Sequence, residues 1–249
     1  MTRWLPALIR VVVLVLLIAF IVDPSHFAGF LEPLTKYGQP PVYTQASLLG
    51  LTINHLEIVA VATIASTIVA VGLAILVTRP AGRDFLPLSR SIANIGQTFP
   101  PVAVLAIAVP LLGFGTPPTL VALFLYGLLP IFENALTGLT TLPPDIVEAA
   151  RGVGMTDTQR LLRVELPLAL PVILAGIRLS VVVSVATATI GSTVAAHTLG
   201  EVILAGLTTD NTAWVLQGGL VVAVIAVLLF DALSALERRL SKRSVRRAA

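Results

Sequence analysis

At 249 residues, with 56% hydrophobic and 12% charged residues and a mean hydropathy of +0.96, the chain is too apolar for a water-soluble domain. The absence of cysteine excludes a disulfide framework, a thiolate nucleophile and a cysteine metal site. A net charge of +3 and a pI near 9.8 do not point to nucleic acid, because the basic residues gather at the ends of apolar runs, the pattern of a chain oriented in a membrane.

In chain order, residues 4–22 have the length of a membrane span, with Arg10 near enough to the start to snorkel to the interface. Asp23-Pro24-Ser25-His26-Phe27 follows without a small-x-small cleavage pattern, so the run reads as a retained helix and not as a cleaved signal peptide. Residues 23–47 carry four prolines and read as an extramembrane loop with room for a short interfacial helix. A second span lies within 51–78, with His55 and Glu57 expected at the interface, and residues 79–84 end it. A third covers 91–112, a tight turn at 113–118 leads into a fourth over 119–139, a fifth takes 172–196 and a sixth 213–236. None alternates polar and apolar residues, so the expectation is an all-α membrane protein, a bundle of six helices and not a barrel. Three regions follow: 1–50 with the first helix and an external loop, a five-helix core over 51–236, and a basic tail over 237–249.

Between the fourth and fifth spans lies a polar island, residues 140–171. Pro143 or Pro144 suits a first helical position, where the missing N–H costs nothing, and Asp145 and Glu148 put negative charge near the positive end of the helix dipole. Gly154 suits the left-handed residue that closes a helix, and Thr156-Asp157-Thr158-Gln159 fits a capping box that opens a second one, expected to stop before Pro167. The island reads as helix, glycine turn, helix between two spans. A DNA-binding helix-turn-helix is excluded by the flanking spans; a plain interfacial helix pair is the bland alternative.

Counting Lys and Arg on alternate sides of six spans puts fifteen of the 16 on the side of both termini and of the 140–171 loop, leaving Lys36 alone opposite. By the positive-inside rule that side is cytoplasmic. The chain has no G-x-x-x-x-G-K-[ST] loop to hold nucleotide phosphates, no H-E-x-x-H, and no metal-ligand spacing among His26, His55 and His197. Ser192 and His197, five residues apart on one helix, are poorly placed for a nucleophile and its base. The expectation is therefore a non-enzyme with no metal or cofactor of its own.

Polar residues inside spans are the places to seek a substrate path, since they are costly in lipid. Gln97 and Thr98 beside Phe99-Pro100-Pro101, Asn134 in the fourth span, and Ser184 and Thr187 in the fifth are the candidates; helix packing is the bland reading for each. Glu133 and Arg178, at similar depths from one side, are expected to pair as a structural ion pair.

The run Glu148-Ala149-Ala150, then Gly154, then Leu166-Pro167 resembles the EAA loop of the membrane subunits of type I ABC importers, with Val164 where that pattern has Ile. The resemblance implies that Glu148, Ala149, Ala150, Gly154, Leu166 and Pro167 belong to a coupling helix that docks on a separate cytoplasmic ATP-binding subunit. It also implies ATP and Mg bound by that partner, a second permease subunit, an extracytoplasmic solute-binding protein, and a multi-pass location in a bacterial plasma (inner) membrane. Asn94-Ile95-Gly96-Gln97-Thr98-Phe99-Pro100, Pro110 to Gly115, Leu129-Pro130-Ile131 and Glu165 to Ile173 narrow it, across about residues 50–235, to the permeases for glycine betaine, carnitine, choline or proline betaine. Glu133, where those permeases often carry a basic residue, and Ala195 to Gly200 depart from the pattern. A methionine-type importer is the alternative within transport, and a channel or scaffold the alternative outside it.

Overall fold

The computed structural model describes residues 5–36 and 38–248, and the side chains of 8–36 and 38–240. It opens with α1 (Leu5–Val22), an 18-residue helix without an interior proline. Asp23 caps a 3₁₀ turn over Pro24–Phe27, and α2 (Ala28–Leu31) and a second 3₁₀ turn (Glu32–Leu34) complete the short helical passage expected in the loop. The long helix α3 (Leu48–Thr78) has 31 residues and a length of roughly 46 Å, more than the ~30 Å of a hydrocarbon core.

The third span, expected over 91–112 with a proline pair able to bend it, is broken at that pair. α4 (Leu86–Thr98) and α5 (Pro101–Leu112) meet at 98°. The reason is the Phe99-Pro100-Pro101 sequence: a residue before proline is pushed out of the helical region, and two in succession leave Phe99 and Pro100 extended, with ψ of 140° and 143°. Then come α6 (Thr116–Thr140), α7 (Pro144–Gly152) and α8 (Asp157–Arg160). The helix after the capping box does not stop before Pro167. It widens into a π-turn over Leu161–Glu165 and continues as α9 (Leu166–Thr187), with Pro167 in its first turn. A wide turn moves the carbonyl a proline ring would strike and spares the hydrogen bond it cannot make.

The fifth span leaves α geometry after Thr187, turning through a 3₁₀ stretch (Ala188–Val194) to Ala195 at φ 63°. α10 (Gly200–Thr208) and α11 (Thr212–Ala248) follow, and the basic tail is not separate: it continues α11. Among the described residues all regular structure is helical. Four helical stretches are long and apolar enough to cross a membrane, or up to six if each of two sharply bent pairs is one span.

The contacts fall into two compact units, each drawn from three parts of the chain. One takes the residues up to Val61, Pro100–Leu123 and Val182–Leu229. Its interior holds His55, expected at the interface but fully buried: Nε2 donates to the Val185 carbonyl at 2.9 Å, and Nδ1 accepts from the Leu199 N–H at 3.3 Å. A neutral imidazole with both nitrogens satisfied can be buried where a charged one could not. Tyr43 and Trp214 pack edge to face nearby, 5.2 Å between ring centroids. The other unit takes Ala62–Phe99, Phe124–Val181 and the residues from Phe230. Small residues Ala70, Ala74 and Ala135 let its helices close around Ile131, Phe132 and Ile173. At Gly96 a Cβ would lie 2.1 Å from the Leu125 carbonyl oxygen, so the α4–α6 crossing requires glycine.

Candidate functional site: the loop between the fourth and fifth spans

The loop over 141–165 is folded by local rules. Pro143 is the N-cap of α7 and Pro144 its first helical residue, with Asp145 in the first turn. At the other end Gly154 adopts φ 79°; its N–H donates to the Arg151 carbonyl at 2.9 Å, and the Met155 N–H to that of Ala150 at 3.2 Å, the paired bonds of a Schellman close. Thr156 and Gln159 then form the capping box: the Thr156 N–H donates to Gln159 Oε1 at 3.0 Å, and the Gln159 N–H to Thr156 Oγ1 at 3.3 Å.

Of the expected coupling residues, Glu148 and Ala149 are exposed, while Ala150 is buried and fixes which face of α7 turns inward. Leu166 packs against the core of its unit and Pro167 is half-buried. Two large apolar side chains stand out from the loop, Val153 at 74% exposure and Leu162 at 60%. Beneath α7 runs an open groove of about 860 Å³, lined among others by Arg79, Arg83, Glu148, Arg151 and Met155.

Glu165, between the Val164 and Leu166 positions of the motif, holds the loop to α3. It is 4% exposed and accepts from Arg79 Nη2 at 2.5 Å and from Arg160 Nε at 2.7 Å; Arg160, itself 7% exposed, also reaches Asp157 at 2.8 Å. One buried carboxylate thus ties the last turn beyond α3 to the residue that ends α8. Sequence reasoning missed this residue, although a carboxylate five positions after an arginine at the edge of an apolar run is the signal that marks it.

The expected Glu133–Arg178 pair is not formed. Glu133 accepts a fork from Arg90, Nε at 2.7 Å and Nη2 at 3.1 Å. Arg178 donates to Glu237 at 2.6 Å and to Ser234 at 2.9 Å, with its guanidinium 4.8 Å from the Phe230 ring centroid. Similar depth does not imply a shared face, and the continuation of α11 past residue 236 keeps Glu237 one turn beyond Ser234, facing Arg178.

The candidate pathway residues are divided between the two units. Gln97 and Thr98 end α4; Thr98 bonds the Asn94 carbonyl at 3.1 Å, four residues back on its own helix. Gln97 Nε2 donates at 3.1 Å to the Tyr126 carbonyl, the one Pro130 leaves without a helical donor, and the Tyr126 hydroxyl in turn donates to the Phe99 carbonyl freed by the helix break. Asn134 bonds the Pro130 carbonyl at 2.8 Å. Ser184 is buried and Thr187 half-buried at the end of α9, in the unit that excludes Gln97, Thr98 and Asn134. Ser192 pairs with Thr198 at 2.8 Å, while His197 pairs with Glu201 at 3.1 Å.

Comparison with known proteins gives consistent results. Residues 70–247 match the family described as binding-protein-dependent transport system inner membrane component. The osmoprotectant import permease protein OsmY of Salmonella typhimurium is 40% identical over 201 residues, 81% of this chain and 85% of that one. The carnitine transport permease protein OpuCB of Listeria monocytogenes is 39% identical over 203 residues, 81% of this chain and 92% of that one. Among solved structures, an inward-facing conformation of the MetNI methionine ABC transporter superposes with a TM-score of 0.70 at 21% identity, covering 78% of this chain and 95% of that chain, a likeness of fold.

Proposed function

This chain belongs to the family of binding-protein-dependent transport system inner membrane components, and from that premise we propose that it imports quaternary-amine compatible solutes such as glycine betaine, choline or carnitine. The observation that carries the reading is the identity of about two residues in five, over four-fifths of the chain, with permeases named for osmoprotectants and carnitine. The methionine alternative has only a likeness of fold behind it.

In this reading ATP and Mg are bound by separate cytoplasmic subunits, and α7 transmits their closure to the spans. A second permease subunit completes the pathway, and an extracytoplasmic binding protein delivers the solute. The sides follow from the charge asymmetry of fifteen basic residues to one. Because the chain lacks cysteine, Thr158→Cys and Thr209→Cys report orientation without background, and both positions are exposed. Impermeant thiol reagent labels Thr209→Cys in intact cells and Thr158→Cys only after permeabilisation; the reverse order refutes the orientation.

The test of function is uptake of labelled glycine betaine, choline, carnitine and methionine by proteoliposomes holding the complete complex. ATP-dependent uptake of quaternary amines is expected. Uptake of methionine alone moves the assignment to the alternative, and uptake without ATP ends the ABC reading.

A further inference from the structure

Near the N-terminal end of α3 stands an exposed carboxylate, Glu57, that no other described group engages. Glu57 makes no hydrogen bond or ion pair, whereas Glu133, Glu165 and Glu237 each hold an arginine. An exposed carboxylate with no protein partner, standing where α3 passes from its polar first turns into its apolar run, is free to meet a cationic solute. Asn54, Glu57, Ile58 and Val61 follow the i, i+3, i+4, i+7 spacing of one helix face, and with Thr116 and His197 they line a cleft of about 260 Å³ within a single unit. The other titratable side chain lining it is His197, already engaged with Glu201 at 3.1 Å.

The cleft is smaller than the ~300 Å³ at which drug-sized pockets begin, which suits a small solute. None of these six side chains is a phenylalanine, tyrosine or tryptophan, so attraction for a cation there comes from the carboxylate and not from an aromatic cage. A trimethylammonium group has no N–H to donate and asks only for negative charge beside apolar contact. Glu57 flanked by Ile58 and Val61 offers that combination. A protonated primary amine, with three N–H donors, would leave donors unsatisfied against the aliphatic wall.

We propose that Glu57 and its cleft bind the trimethylammonium head of the solute as it enters the membrane domain. This rests on the quaternary-amine reading and adds a residue and a discriminating principle to it: the more nearly cationic the solute as a whole, the more its transport depends on Glu57. A single charge on an open face binds weakly, as a path that must release its solute requires.

The experiment uses the complete complex in proteoliposomes with saturating solute-loaded binding protein. Glu57→Gln lowers choline uptake about tenfold and uptake of glycine betaine, whose own carboxylate cancels its charge, no more than about threefold; Glu57→Asp restores choline uptake to within about threefold of wild type. Equal losses for both solutes without rescue by Asp mark a structural role and overturn the proposal, as does an unchanged choline rate. If Glu57→Gln does not assemble, the wild-type complex decides: labelling of Glu57 by dicyclohexylcarbodiimide, read by mass spectrometry, slows in millimolar choline but not in equal sodium chloride, and lack of protection overturns the proposal. A wild-type complex that moves no quaternary amine refutes the parent reading and this one with it, whereas choline transport indifferent to Glu57→Gln removes the cleft alone.

Discussion

Two short helices interrupt the long ones, α7 and α10, and each ends at a residue in the left-handed region, Gly154 at φ 79° and Asp210 at φ 54°. Their surroundings differ. The stretch after α10 is bound to its own chain: Lys36 pairs with Asp210 at 2.9 Å, Gln39 Nε2 donates to the Thr209 carbonyl at 2.7 Å, and Asn211 Nδ2 to that of Pro40 at 3.1 Å. Tyr43 donates to Glu201 at 2.9 Å, and burial, aided by that hydrogen bond, pushes its phenol up to about 12, so it remains a donor throughout the physiological range. α7 has no such bracing along its outer face. Glu148 and Ala149 are bare and Val153 is 74% exposed, while the fixed points are the buried Ala150 on the inner face of α7 and Glu165 at the far end of the loop. The outer face of α7 is left bare, whereas α10 and the stretch after it are laced to their neighbours.

The comparison is broken most directly at Glu165. Glu165→Leu removes the carboxylate that Arg79 and Arg160 share and leaves two guanidinium groups without it, one of them buried. Removing one partner of such a buried cluster costs on the order of 3 kcal/mol. The expected result is membrane insertion at a normal level, a clearly lowered unfolding temperature of the purified complex, and uptake lost more completely than ATP hydrolysis. Full coupling in this variant would show that the loop does not need its anchor.

Gly154→Val is the next largest. A Cβ at Gly154 meets nothing within 4 Å, so the whole penalty is the left-handed backbone, about 1–2 kcal/mol and more for a β-branched residue. The variant folds, and the presentation of α7 is what suffers: stimulation of ATP hydrolysis by solute-loaded binding protein falls while basal hydrolysis holds. Gly154→Asn, which tolerates positive φ, recovers most of the loss. If valine and asparagine behave alike, the turn geometry is not what couples.

How much of this was legible follows from the range of each interaction. The caps of α7 and α8 are local: proline at the first helical position, glycine at the close, threonine and glutamine three apart, and each was readable from a few neighbouring letters. The break at Phe99 was half legible: a pair of prolines can bend a helix and free its carbonyls, but the 98° angle and the Tyr126 hydroxyl that answers one of those carbonyls depend on the fold. Pairings across helices were not legible. Helical phase, fixed only once the π-turn and the uninterrupted α11 are known, turned Glu133 to Arg90 and Arg178 to Glu237. His55 was misplaced for the same reason, because its partners lie 130 and 144 residues away.

The smallest expected effect sharpens the other half of the comparison. Lys36–Asp210 is the one ion pair bracing the stretch after α10, but its side chains are 53% and 69% exposed, and pairs so open to solvent contribute about 0–1 kcal/mol. Three further hydrogen bonds hold the same ground, from Gln39, Asn211 and Tyr43. Lys36→Met therefore shifts the unfolding temperature by no more than about 2 °C and leaves coupled uptake unchanged, and its small effect fades as salt is raised. Asn211→Leu costs more, because Asn211 is 1% exposed and also accepts from the Trp214 N–H at 3.3 Å, so its loss leaves that buried N–H without this acceptor. A Lys36→Met loss as large as that of Asn211→Leu would mean that this region rests on one surface contact, and that α10 is as free to move as α7.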